Sequence, residues 1–424
     1  MRLPPALLLV AAGTFLPQPA LAQVAVADSG DTGWLMLCSL LVMLGALPGL
    51  LLRHAGLTKA RSALSIMTQG IAVAAGASLL WGIAGYSLAF APGSGWLGSG
   101  ANLFLANLGA LREGLTVPES AFALFQMALA LLAACLLPAA VAERVRIGWM
   151  ATFAPLWLLL VYAPVAHWIW AGGWLAATGV IDFAGAIVLH VSAGFSALVL
   201  TLIVGPRRAA STPGHSPVLT LVGGALLWIG WAGIVGGWAL GATDDAATAI
   251  ISMHFAASAG ALSWALLDRA LSGRARATGL LSGALAGLVA ISASAPLVGA
   301  GGAMLIGFAA AAICRLAKAL LKDRIDDAAD IFLIHGIGGL TGALLLVPFV
   351  LPEAGGVGFQ AGIDVGHTLA MQLVGVVVVA LWAMLGSAIL ALILSLVMPP
   401  RLEPEVEAEG LDLPQHGQQG WDFR

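Results

Sequence analysis

Asp182 to Gly194, DFAGAIVLHVSAG, sets one histidine, His190, in an otherwise apolar run with an aspartate upstream, and Asp330 to Gly336, DIFLIHG, repeats the arrangement around His335. An ionisable ring among hydrocarbon side chains is costly. In a membrane such residues face a bundle interior or a cavity, where they act on protons or substrates. The alternative for each is a neutral core histidine bonded to a backbone carbonyl, an ordinary helix–helix contact in membrane bundles. Either way, the stretch reads as a buried membrane helix.

The composition extends that reading to the whole chain. Of 424 residues, 60% are hydrophobic, 9% are charged and 54 are glycine. No soluble domain of this length carries so little charge, so the chain is an all-α polytopic membrane protein. The net charge of −3 averages over two sides of a bilayer and points to no nucleic-acid partner. Cys38, Cys135 and Cys314 fall in apolar segments at no metal-ligand spacing and read as small hydrophobes, so neither a disulfide nor a metal site is expected.

Residues 1–22 read as a signal peptide: Arg2, an apolar run around Ala6 to Ala12, and Ala20-Leu21-Ala22 before Gln23. An uncleaved first helix is the alternative, but the run is short and Pro17 and Pro19 interrupt it. The membrane domain then spans 23–400 and a polar tail 401–424. Apolar runs of about 20 residues, enough to cross a bilayer, lie near 34–52, 63–89, 119–142, 147–169, 182–204, 217–238, 246–267, 277–295, 298–318, 328–350 and 368–398, eleven in all. Apart from Arg2, every Lys and Arg follows an odd-numbered run except Arg112, which predicts N-out/C-in topology by the positive-inside rule.

That topology makes helices 1–5 and 6–10 opposite in orientation, an inverted 5+5 repeat. His190 and His335 then occupy matching places, each on the last helix of its repeat, and converge near the bilayer midplane. The convergence favours a functional pair. Gly223-Gly224, Gly236-Gly237, Gly283, Gly287 and Gly336-Ile337-Gly338-Gly339 further predict closely packed backbones around a narrow path.

Several ordered segments carry a family resemblance: LSIMTQ (Leu64 to Gln69), AERVR (Ala142 to Arg146), PVAHWIWAGG (Pro164 to Gly173), DFAGAIVLH (Asp182 to His190), GALAGLV (Gly283 to Val289), DIFLIHGIGG (Asp330 to Gly339) and EGLDLPQHG (Glu409 to Gly417). The chain resembles the ammonium transporters of the Amt/Mep/Rh family. The resemblance implies a homotrimer in the inner (plasma) membrane, with one pore per subunit, no cofactor, and ammonium or ammonia as the substrate. It matches His190 and His335 to the family's twin histidines, Trp170 to the aromatic wall of an outer recruitment site, and Asp182 to the buried acid supporting that site. The chemistry is coherent. Aromatic faces attract the cation, its charge cannot cheaply enter an apolar pore, and an imidazole pair can relay the proton it releases. Asp182 is also placed to cap a helix, and Trp170 to join an interfacial belt with Trp168 and Trp174. His167 and His254 read as structural.

The departures from the family pattern are equally specific. Phe125 keeps the first pore-mouth phenylalanine, but Leu129 and Ile234 stand where gate phenylalanines are expected, and Trp238 stands at the position of the serine that bonds the recruited ion. Ordinary drift among bulky apolar residues is one explanation. A shifted function is the other, so two classes stay open: a transporter moving ammonium inward, and a sensor that binds ammonium and conducts little. A membrane enzyme lacks any nucleophile, metal cluster or cofactor motif beside the histidines and is discounted. The acidic tail is either solvated or, as EGLD and HG imply by resemblance, packed on the cytoplasmic loops and responsive to a PII-type signal protein.

Overall fold

The computed structural model describes residues 26–208, 214–359 and 362–421, and the leader expected at 1–22 lies outside them. Eleven apolar helices build the bundle: α1 Ser29–Leu57, α2 Ala60–Phe90, α3 Glu119–Ala140, α4 Ile147–Ala177, α5 Ala186–Val204, α6 Pro217–Trp238, α7 Asp244–Ser272, α8 Ala277–Ile291, α9 Ala300–Leu321, α10 Phe332–Phe349 and α11 Val365–Val397. Ten are long and apolar enough to cross a membrane, and no strand occurs among the described residues. Two short helices, α12 Pro404–Glu409 and α13 Asp412–His416, end the chain.

The eighth apolar run departs from its expected length. It stops at Ile291 after 15 residues, about 22 Å of helix at 1.5 Å per residue. The cause is a competing set of hydrogen bonds. The carbonyls of Ser292 and Ala293 accept the amides of Ala184 (2.7 Å) and Phe183 (3.0 Å), so α8 unwinds where it meets the segment leading into α5.

Close backbone approach holds the centre together. A Cβ on Gly194 of α5 would lie 2.1 Å from the Gly336 amide nitrogen, and one on Gly287 would lie 2.2 Å from the Ala256 carbonyl oxygen. Glycine is what lets these helices touch, as expected for membrane interfaces. α3, buried almost throughout, forms the hydrophobic middle of the bundle with α5 and α10. By contrast Leu40, Leu79, Leu202, Leu262 and Leu396 are exposed on the perimeter, as a surface facing lipid or another subunit requires.

One end of the bundle is ionic. Arg207 pairs with Asp326 (2.5 Å) and Glu143 (3.7 Å), and Arg144 pairs with Asp326 (3.4 Å) while donating to the Gly205 and Ala140 carbonyls. The tail docks on this end. Arg401 bridges to Val145, Arg146 pairs with Glu403 (2.7 Å), and the buried Glu407 accepts from Arg401 and from the Arg208 amide. Asp412 goes further, accepting the amides of Leu64 (3.2 Å) and Ser65 (2.8 Å) at the start of α2. Within α2 a short 3-10 turn, Ala60–Ser62, precedes the regular helix from Ala63, and Ser62 offers that helix no side-chain cap, so the tail supplies the missing acceptor. The packed alternative for the tail is the one observed.

Candidate functional site

His190 and His335 meet in the buried core. Their Nδ1 atoms are 3.2 Å apart and their ring centroids 5.0 Å. Both sit in wide π-type turns, Ala186–Val191 and Phe332–Ile337, at the starts of α5 and α10. Such turns are frequent at functional sites because they push a side chain out of the regular ladder. The Gly194–Gly336 contact brings the two turns close enough to pair.

The two segments align without a gap over nine positions, DFAGAIVLH at 182–190 and DAADIFLIH at 327–335, sharing the aspartate, the alanine two residues on and the histidine. In the first, Asp182 Oδ2 accepts the amides of Ile187 (3.0 Å) and Val188 (2.8 Å). In the second, Asp327 Oδ2 accepts the Phe332 amide (2.7 Å), five residues on as in Asp182–Ile187. Gly185 (φ 96°) and Asp330 (φ 59°) hold the same left-handed position, which glycine and aspartate tolerate best. The counterpart of Asp182 is therefore Asp327. Asp330, the aspartate singled out in the sequence, sets the turn and pairs with Lys318. The signal was available: each capping aspartate stands eight residues before its histidine.

A contact between two Nδ1 atoms requires opposite tautomers in the neutral pair. One ring donates from Nδ1 and the other accepts there, leaving one Nε2 bare and the other protonated. The pair is thus a chain with an accepting end and a donating end. Trp231 fixes it further, stacking on His190 at 5.0 Å while its indole N–H donates to Ser292 Oγ at 2.9 Å. Nothing in the sequence analysis singled out Trp231. Leu50, Leu132, Leu136, Leu227 and Leu285 complete a narrow apolar cavity around the histidines, with Arg53 at one end.

Trp170, Trp238 and Phe125 also come together. Trp238 lies 4.2 Å from Trp170 and edge-on to Phe125 at 6.0 Å, centroid to centroid. The Trp170 indole donates to the Asp182 carbonyl (2.8 Å), so one aspartate caps a turn with its carboxylate and orients a tryptophan with its backbone. The Trp238 indole N–H is buried without a partner. The two indoles touch, leaving no room for an ion between them. Leu129 and Ile234 are fully buried. His167 is bracketed by the Ala89 (2.9 Å) and Ser94 (2.7 Å) carbonyls, a structural role, and His254 is exposed beside Trp228. Arg53 is the larger surprise. Counted in the sequence as a loop charge, it lies within α1 and is buried.

Residues 33–421 match the profile of the Ammonium Transporter Family. This chain belongs to that family. A putative ammonium transporter of Methanothermobacter thermautotrophicus is 40% identical over 93% of this chain and 98% of its own length. The ammonium transporter of Bacillus subtilis is 37% identical over 92% and 98%. Among solved structures, a protein described as a sensor Amt protein superposes with a TM-score of 0.86 at 27% identity, covering 91% of this chain and 98% of its own. Candida albicans Mep2 gives 0.82 at 32%, covering 89% and 87%. With its ten long apolar helices, this family member is a multi-pass membrane protein.

Proposed function

We propose that this Amt-family chain moves ammonium across the inner (plasma) membrane as ammonia plus a relayed proton, with His190 and His335 as the relay. The observation that carries the reading is their Nδ1–Nδ1 contact of 3.2 Å in a narrow apolar cavity. Ammonium, protonated at neutral pH like a lysine amine, is recruited at Trp170, Phe125 and Trp238, supported by Asp182, and gives its proton to the bare Nε2 at the accepting end of the histidine pair as it passes the constriction at Leu129 and Ile234. The neutral molecule then follows the apolar path while the imidazole pair passes the proton on. Eleven membrane spans in two inverted five-helix repeats, N-out/C-in, fit this path, and the equivalence of 182–190 with 327–335 supports the repeat. The working form is a homotrimer whose leader, 1–22, is removed and whose tail, 401–424, is cytoplasmic and answers to a PII-type protein.

A second reading, an ammonium sensor that conducts poorly, is favoured by the contact of Trp238 with Trp170 where the family has a serine, which crowds the mouth. Uptake of labelled methylammonium into cells lacking other transporters separates the two. Transport above the vector control supports the first, and calorimetric ammonium binding without uptake supports the second. His190→Ala should abolish proton-coupled current in proteoliposomes while the protein stays folded. Wild-type current in that variant would remove the relay.

A further inference from the structure

Two cavities inside the bundle share a lining residue. The narrow one holds His190, His335 and Trp231. The other is a wide vestibule at the ionic end, lined by Arg207, Lys318, Asp326, Asp327 and Asp330 among others. One residue lines both, Arg53. Arg53 thus borders both the histidine cavity and the vestibule, so a path from the histidines to that end runs past its guanidinium.

The way Arg53 is held matters as much as its place. One terminal nitrogen donates to the Ala329 carbonyl at 3.1 Å, in the loop between Asp327 and Asp330. Its Nε is buried without a partner, and among the described residues no carboxylate pairs with it directly. A guanidinium stays charged under all ordinary conditions. Held on a neutral carbonyl, with Asp327 and Asp330 acting on it only through space, its charge is compensated at a distance and its field reaches into the histidine cavity. Nothing in the relay requires it: the histidine contact and the Trp231 stack form without it.

We infer that Arg53 is a specificity-determining residue of the pore, a fixed positive charge beside the histidines that holds back cations, the relayed proton included, while ammonia passes on to the vestibule. The inference rests on the transport reading above and sharpens it, because it names the charge of the permeating species at the exit. It also offers a cause of low ammonium current that is independent of the crowded mouth. The charge, rather than the bulk, is the agent, and that is what the test separates.

Arg53→Met keeps length and apolar packing and removes the charge, Arg53→Gln does the same with a polar end, and Arg53→Lys keeps the charge. Each is reconstituted in proteoliposomes beside wild type, ammonium-evoked current is recorded on a supported membrane, and ammonium binding is followed by the shift in melting temperature. Current should rise at least about tenfold in Arg53→Met, and in Arg53→Gln should Met fail to fold, because removing a nearby like charge from a poorly screened path lowers a Coulomb barrier. Arg53→Lys should stay within about twofold of wild type. A folded neutral variant carrying no more current than wild type overturns the inference, as does an equal gain in Arg53→Lys. If ammonium still binds in those variants, only the role of Arg53 falls. If ammonium binds none of the proteins and none conducts, the transport reading falls too.

Discussion

In the proposed reading, in which Trp238 stands in place of a serine, single side chains decide whether an ion is held at the mouth and how fast it moves on. An aromatic face contributes about 0.5–2 kcal/mol toward a cation, depending on desolvation, comparable to the roughly 1.5–3 kcal/mol of the hydrogen bond to a charged group that Trp238 forfeits by replacing serine. Binding is therefore expected to survive the exchange. Passage is different, because Trp238 packs on Trp170 and the aliphatic Leu129 and Ile234 offer a dehydrating cation no π face. Trp238→Ser combined with Leu129→Phe and Ile234→Phe should weaken or relocate binding and raise methylammonium flux severalfold, about a factor of 5 or more. A triple variant no faster than the native protein, measured by initial uptake rate, would show that the mouth is not what limits it.

At the level of elements, the histidine pair depends on α5 and α10 touching at Gly194 and Gly336. Gly194→Ala places a methyl 2.1 Å from a backbone nitrogen, so the helices must part. The expected loss is about 1–3 kcal/mol of stability, as for overpacking in a tight core, together with most of the proton-coupled current. Gly33→Ala in α1, where a Cβ meets nothing within 4 Å, should leave current unchanged and raise stability by about 0.5–1 kcal/mol through helix propensity. Thermal melts and currents of the two variants side by side check both claims. The neighbouring loop holds two adjacent aspartates with opposite pH behaviour. Burial would raise the Asp326 carboxyl, but its bonds to Arg207 and the charges of Arg144 and Arg207 outweigh that and hold it below 3.8. Burial, and then the charge of Asp330, push Asp327 up to about 6. Asp326 thus contributes stability above pH 3.8 that is lost as acid reaches its lowered value, whereas the contribution of Asp327 is complete below 3.8 and lost as pH climbs through about 6. Asp327→Asn, which keeps an acceptor for the Phe332 amide, should therefore melt higher relative to wild type at pH 7 than at pH 4. Equal differences at both pH values would show that Asp327 titrates normally.

Across the whole molecule, the tail ties the end of the chain to its beginning. Asp412 caps α2 from 348 residues away, and Glu407 gathers Arg401 and the Arg208 amide. Asp412→Ala should cost about 1–2 kcal/mol, the usual range for a lost helix cap, and should expose residues beyond 403 to protease in a folded membrane domain. Protection equal to wild type would mean the tail is held by its other contacts. A PII-type partner, tested by pull-down across nucleotide states, should lose its site in the same variant.

The sequence alone carried the class of fold and most of its helices, because apolar run length is a local property that the bilayer enforces through backbone hydrogen bonding. Ten of the runs read from it became helices long and apolar enough to cross a membrane, and the eighth became a shorter apolar helix. It also singled out His190 and His335, which the fold brings into contact, and Trp170 and Asp182, which a hydrogen bond joins. It could not show that α8 ends at Ile291, since the bonds that unwind it come from Phe183 and Ala184 more than a hundred residues away. Nor could it separate Asp327 from Asp330, because both precede His335 and only the turn shows which one caps it. Arg53 is the sharpest case. A basic residue at the end of an apolar run reads as a loop charge, and only the packing of α1 against the loop before α10 placed it between two cavities. Contacts between distant parts of the chain decide which of two chemically similar residues is solvated and which is buried, and that choice leaves no local pattern.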